Sequence, residues 1–271
     1  MANQTPATVQ KTSVHALYEG TFSVGLDKEF YRIERSESPR KGALKLSINP
    51  FLVSTRDRNV LIDAGLGDLF GGDTTIETIL ENLEHHGISN YEITDVILSH
   101  LHFDHVAGLA HRANGYWELT FPDAKIHLSD NGWKKLHSLA KNLTDDQAQF
   151  FHFLDSQADI HFLGEESKPL PGFRTVHMGG HTEFHQVIYY ADESLSFVMA
   201  GDILGTRGAI NKTYAAKYDY EPKRSMAARE ELQAYAFQEK AAILAYHDSI
   251  NPVFRLTNHD ETKGYTLQNG L

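Results

Sequence analysis

The sequence predicts an α/β fold in which helices cover layered sheet, and three stretches carry that prediction. "VLIDAG" (60–65) reads as a buried strand ending at Asp63, and "DVILSH" (95–100) as another strand. Between them Ile76, Ile79, Leu80 and Leu83 recur at helical spacing, so that strand, helix and strand follow one another in the βαβ manner. "HQVIYYADESLSFVMAGD" (185–202) reads as strand, turn and strand, ending at Asp202.

In chain order, "ALKLSINPFLV" (43–53) comes first, with Leu44, Leu46 and Ile48 alternating with Lys45, Ser47 and Asn49 as in a strand. A polar turn, Arg56 to Asn59, leads into "VLIDAG". The helix expected between 74 and 87 has a capping box in Thr74 and Glu77 and a terminator in Gly87. "AKIHLS" (124–129) is a further strand, followed by two helices between about 130 and 157, the second opened by Thr144 with Gln147 three residues on. That pair reads as an insertion or cap. After a polar, tyrosine-bearing loop at 205–222, Met226, Leu232, Tyr235 and Ala236 mark a last long helix before "AILAYHD" (242–248).

The chain has 271 residues, room for a substantial core, and no repeat or flexible linker, so a single domain over 1–271 is expected. Its formal charge of −11 disfavours nucleic acid and anionic lipid as partners. No apolar run approaches the roughly 18 residues of a membrane helix, and the opening stretch lacks the basic-then-apolar order of an export signal. A cytoplasmic protein acting on a small molecule is the expectation, with homo-oligomerisation left open. Zero cysteines exclude disulfides, thiolate nucleophiles and sulfur-ligated metals; sixteen histidines remain.

"SHLHFDHVAGL" (99–109) concentrates three of those histidines and an aspartate within six positions. In an extended segment, side chains two apart point the same way, so His100 and His102 can grip one ion. If "DHVAGLAHR" then turns into a helix, Asp104 and His105 project to one side of that pair. Three later strand ends offer more ligands: His181 in "GGHTEFHQ", Asp202 in "MAGD" and His247 in "LAYHD". Five histidines and two aspartates suit borderline divalent ions such as zinc, and suffice for two sites if one carboxylate bridges.

These segments resemble the signature of the metallo-beta-lactamase superfamily: "HLHFDH" (100–105), "GGHT" (179–182), "AGD" (200–202) and "YHD" (246–248), preceded by "VLIDAGLG" (60–67), over roughly 43–250 and in the correct order. The resemblance implies an αβ/βα sandwich of two mixed sheets flanked by helices, with a dinuclear centre at one end. It implies that His100, His102 and His181 hold one metal, that Asp104, His105 and His247 hold the other, and that Asp202 bridges them. Asp63 would then accept a hydrogen bond from a ligand histidine and fix its orientation. Zinc is the default pair of ions; iron, manganese and cobalt fit the same donors.

Such a centre implies a hydrolase in which a bridging hydroxide attacks an ester-type bond and Asp104 shuttles the proton to the leaving group. Lactones, carboxylic esters and phosphotriesters are the expected substrates. A thioesterase resembling glyoxalase II and a non-catalytic metal-binding member are the alternatives. His102 stands where the di-iron branch commonly carries glutamate. Several other histidines, His85, His86, His111, His127, His137, His152, His161 and His177, read as surface or packing residues, and His185 as packing or support for a ligand. Asp248 reads equally as support for the site or as a loop cap. Tyr214, Tyr218 and Tyr220 either line a pocket or pack their loop; Trp133, Phe150 and Phe151 read as core.

Overall fold

The computed structural model describes residues 11–271 apart from 70, 72, 73, 215 and 217. The expectation of no export signal therefore falls, for residues 1–10, outside the described residues, as do two positions of the 205–222 loop.

Two mixed sheets face one another. The first runs Ser13–Ala16, Phe51–Ser54, Asn59–Ile62, Asp95–Ile97, Lys125–Ser129, Asp159–Leu163 across its six strands. Its last four strands are parallel. The second runs Glu166–Ser167, Phe173–His177, Gln186–Ala191, Ser196–Met199, Ala242–Leu244, Val253–Asp260, Gly264–Asn269. Only its Ser196–Met199 and Ala242–Leu244 pair is parallel.

Successive strand residues point to opposite faces, and here both faces are apolar. Val60 and Ile62 join Phe51, Ile97, Ile188, Tyr190, Phe197, Met199 and Tyr246 in the core between the sheets. Leu61, Val96, Ile126 and Leu128 turn the other way, onto helices α1 (Glu77–His85), α3 (Asp130–Ser138) and α4 (Asp145–Gln157) through Ile79, Leu83, Trp133, Phe150 and Phe151. On the far side Val187, Tyr189, Val198 and Ile243 pack on α5 (Pro222–Gln238) through Leu232 and Ala236. The result is the αβ/βα sandwich. Among the described residues no helix is long and apolar enough to cross a membrane.

Several expectations are corrected. Residues 43–53 are two strands, not one: Leu44–Ile48 belongs to a small sheet with Gly20–Val24 and Phe30–Ile33, and Asn49–Pro50 separates it from Phe51–Ser54. The alternation fails there because Ser47 is buried, hydrogen-bonded to Thr21, while Leu44 is exposed. The Thr74–Glu77 capping box does not form; the Thr74 hydroxyl donates to the Gly71 carbonyl, and Asp68 accepts from Ile76 N at 2.8 Å instead. Gly87 does end α1, at φ +71°, with Gly87 N donating to Glu84 O and Ile88 N to Leu83 O. Thr144 and Gln147 form their capping box. The two helices of 130–157 contribute Trp133, Phe150 and Phe151 to the core. The strands before residue 43 and the hairpin after 252 were not predicted.

The motif helix, α2 (Phe103–Val106), is one turn long, continues as a 3₁₀ turn over Ala107–Leu109, and gives way to strand Ala110–Ala113. Gly108 explains the sharp change. Its N–H donates to Gly65 O, and a methyl group at this position would overlap the Ala64 carbonyl oxygen. Both partners are backbone in buried segments, so neither can swing aside. Gly108→Ala is therefore expected to destabilise the fold by about 2–3 kcal/mol, read as a lower urea midpoint.

Candidate metal centre

Strand ends bring the predicted residues together. His100 follows strand Asp95–Ile97; His181 follows Phe173–His177 through Gly179 and Gly180, at φ +65° and +92°; Asp202 lies in a 3₁₀ turn after Ser196–Met199; and His247 follows Ala242–Leu244. Gly180 is required at its place, because a side chain there would strike the backbone of Ser225 in α5.

Donor atoms of His100, His102, His181 and Asp202 form one group, and those of Asp104, His105 and His247 a second, each within 4.8 Å. The six-residue motif is thus divided between two groups. Asp202 lies between them: Oδ2 stands 3.2 Å from His181 Nε2, while Oδ1 stands 3.2 Å from His105 Nε2 and 2.9 Å from His247 Nε2. Asp104 Oδ2 lies 3.7 Å from His105 Nε2 and 3.6 Å from His247 Nε2.

The hydrogen bonds behind the histidines settle which nitrogen faces inward. His105 Nδ1 donates to Asp63 Oδ2 at 2.7 Å, His181 Nδ1 to Asp219 Oδ1 at 3.0 Å, and His247 Nδ1 to the Ser47 carbonyl at 2.9 Å. His100 Nδ1 donates to Ser99 Oγ at 3.1 Å, whose own proton goes to Asp63 Oδ2 at 2.8 Å. With Nδ1 protonated in all four rings, each Nε2 carries a lone pair aimed at the others. His100 Nε2, His105 Nε2, His247 Nε2 and Asp202 Oδ1 are buried without a hydrogen bond. Buried acceptors left facing acceptors are unfavourable unless a cation satisfies them, so the donor set fits divalent metal.

The ionisation directions agree. Burial drives the His100 imidazole far below its ordinary range, reinforced by His105 and His102. Burial also opposes charge on His105 and His247, yet the nearby carboxylates raise both: Asp104, Asp63 and Asp202 for His105, Asp202 and Asp104 for His247. The Asp202 carboxyl is held far below its range by His247, His181 and His105 in spite of its burial. A divalent ion competes with protons for these same lone pairs, so its binding must release protons.

Asp63 ends its strand at φ +56° and accepts from Ser99 N at 2.7 Å as well as from His105, the supporting position expected of it. His185 accepts from Asp202 N through Nε2 at 3.2 Å and stacks on His100, so it braces the centre from behind. Asp248 caps its loop, accepting from Arg207, Ile250 and Asn251 amides. His127 is buried and bonded to Asp95, and His177 Nε2 donates to the Glu183 carbonyl, so neither joins the cluster. Tyr214, Tyr218 and Tyr220 are exposed, and Tyr218 stands edge-on to His181 with ring centroids 5.8 Å apart.

Three contributors were missed. Asp219, the Ser47 carbonyl and Tyr246, whose hydroxyl donates to Asp104 O at 2.7 Å while its ring stacks on His105, carry no spacing signal. "YHD" did place Tyr246 beside a ligand, the one hint available.

The chain belongs to the metallo-beta-lactamase superfamily, whose family model matches residues 44–247. No curated protein matches the sequence. Among solved structures, a probable metal-dependent hydrolase from Staphylococcus aureus is similar at 23% identity and TM-score 0.77, over 97% of this chain and 99% of that one. The hydrolase AbOPH of the beta lactamase superfamily follows at 22% and 0.76, over 96% and 94%. AidC, a dizinc quorum-quenching lactonase seen with the product N-hexnoyl-L-homoserine, is similar at 18% and 0.74, over 97% and 96%.

The floor of the site contains a titratable group that can be tested apart from metal. Glu19 is buried beneath the loop that follows Asp63, accepts from Leu66 N at 2.9 Å, and is pushed up to about 8 by burial, which that hydrogen bond and Arg32 only partly offset. Folding therefore takes up a proton at Glu19 between its ordinary carboxyl range and pH 8. The stability it contributes is complete below that range and is lost as pH rises to 8, by on the order of 4 kcal/mol at most. Urea unfolding from pH 5 to pH 8 is expected to show that decline in the wild type and a flatter profile in Glu19→Gln.

Proposed function

We propose that the chain, acting as one domain, is a dinuclear metal-dependent hydrolase that cleaves an ester-type bond in an uncharged, partly apolar small molecule: a lactone, carboxylic ester or phosphotriester. The observation that carries this reading is the division of Asp202, one oxygen toward each ligand group. His100, His102 and His181 would hold one divalent ion, and Asp104, His105 and His247 the other. Two such ions supply an acidified water at neutral pH and a Lewis acid for the oxygen that gains charge in the transition state.

The protein's own part is to orient and to move a proton. Asp104 offers Oδ2 to the second group, and its carboxylate accepts the proton of the attacking water and returns it to the leaving oxygen. The Tyr246 hydroxyl, bonded to the Asp104 carbonyl, fixes the backbone that carries this shuttle. Exposed Tyr218, edge-on to His181, offers aromatic surface with a hydroxyl group beside the centre, suited to a partly apolar substrate. The net charge of −11 disfavours polyanions. The likeness to lactonases supports the ester-type substrate class. Zinc is the proposed metal and the cytoplasm the proposed compartment.

Elemental analysis combined with turnover of p-nitrophenyl esters, γ-lactones and paraoxon tests the reading. Turnover of at least one substrate, abolished by chelator and restored by zinc, is expected; a metal-loaded protein inert on all three classes refutes it. His102→Ala should lower bound metal and activity together. Asp104→Asn should lower activity by about 10²-fold or more while losing proportionately less metal.

A further inference from the structure

The turn that presents His181 is fastened to one stretch of the 205–222 loop. Tyr220 N donates to the His181 carbonyl at 3.0 Å, Glu221 N to the Gly180 carbonyl at 2.8 Å, and His181 Nδ1 to Asp219 Oδ1 at 3.0 Å. Both side chains of that last pair are 2% exposed. The first half of the loop is fastened elsewhere, Arg207 to Asp248 and Asn269, Asn211 to the Tyr265 backbone, and the Tyr214 carbonyl to Arg229. The second half, which carries Tyr218 over the centre, is fastened at His181 and Gly180.

We infer that Asp219 is a positioning residue that couples cation binding at His181 to the order of the tyrosine loop. Its carboxylate accepts the hydrogen bond of Nδ1–H, which keeps the proton on Nδ1 and so commits the Nε2 lone pair to the centre. A cation on Nε2 withdraws electron density from the ring, which makes Nδ1–H a better donor and tightens its bond to Asp219. Coupling is reciprocal: a loop held by Asp219 raises cation affinity by the same factor by which the cation favours the held loop. The inference rests on the metal-binding part of the proposed function and not on hydrolysis.

Two measurements that need no turnover test it. Zinc competition against a chromophoric chelator should show Asp219→Ala binding zinc about 10–100-fold more weakly than the wild type, with Asp219→Asn, which keeps an acceptor but loses the charge, between them. Hydrogen exchange over residues 218–221 should slow on zinc addition in the wild type and stay unchanged in Asp219→Ala at saturating zinc. Asp63→Asn, which disturbs the centre through His105 without touching the loop, should retain the zinc-dependent slowing at saturation.

Wild-type zinc affinity in Asp219→Ala overturns the positioning role. Equal loss of slowing in Asp63→Asn overturns the coupling. If Asp219→Ala does not fold, Asp219→Asn decides: wild-type affinity and slowing in that variant overturn the inference. A protein inert on every ester but showing these effects would refute the hydrolase reading and leave this one standing.

Discussion

Everything in this molecule answers to one constraint: four imidazole Nε2 atoms, a fifth imidazole and two carboxylates face one another in a largely buried space, with more acceptors than donors among them. The Nδ1 protons point outward, each to an acceptor on a different element: Asp63, Ser99, Asp219 and the Ser47 carbonyl. Lone pairs and negative charge gathered away from water are tolerable only around cations or bound protons. The fold must therefore hold strand ends from two sheets rigidly enough that they cannot relax apart.

The rigidity has identifiable sources. Asn49 Nδ2 donates to the carbonyls of Tyr246 and Asp248, tying the first sheet's entry strand to the turn that bears His247. Gln186 N donates to Ser99 O, joining the second sheet to the strand end that bears His100. Phe103, between two motif ligands, packs on Phe150 and Phe151 of α4, so the helices of 130–157 steady the metal motif from outside. Glu183 forms a salt bridge with Lys135 of α3, and Phe184 approaches Gly132 of the same helix. These two contacts dock α3 on the turn that carries His181.

How much of this could be read beforehand follows from what leaves a periodic trace. Central strands, apolar on both faces, and α5 were legible because burial imposes composition over several consecutive residues. The clustered histidines were legible because metal-site geometry would fix residue types and their order along the chain. Strand Val253–Asp260 was not, since its second half is exposed and lacks an apolar run. Thr74 failed as a cap because a more distant carboxylate, Asp68, reached the same helix start. Asp219 was invisible for a stronger reason: its partner lies 38 residues away, and a single aspartate in a polar loop looks like any other.

Charge balance bears on how many ions such a centre accommodates. With the histidines neutral, the negative groups in or directly against the cluster are the carboxylates of Asp63, Asp104, Asp202 and Asp219. Two divalent cations neutralise four carboxylates, whereas one would leave a buried excess of negative charge. Were the centre filled as proposed, an uncharged ester would approach without an electrostatic barrier, while a polyanion would meet the field of a protein with a net charge of −11. Asp63 and Asp219 each stand behind a histidine of a different group, so each carboxylate would offset the charge of an ion held by that group. Placing these charges one ring away from the proposed metal positions would preserve neutrality and leave the inward-facing positions to the histidine nitrogens, Asp104 and Asp202.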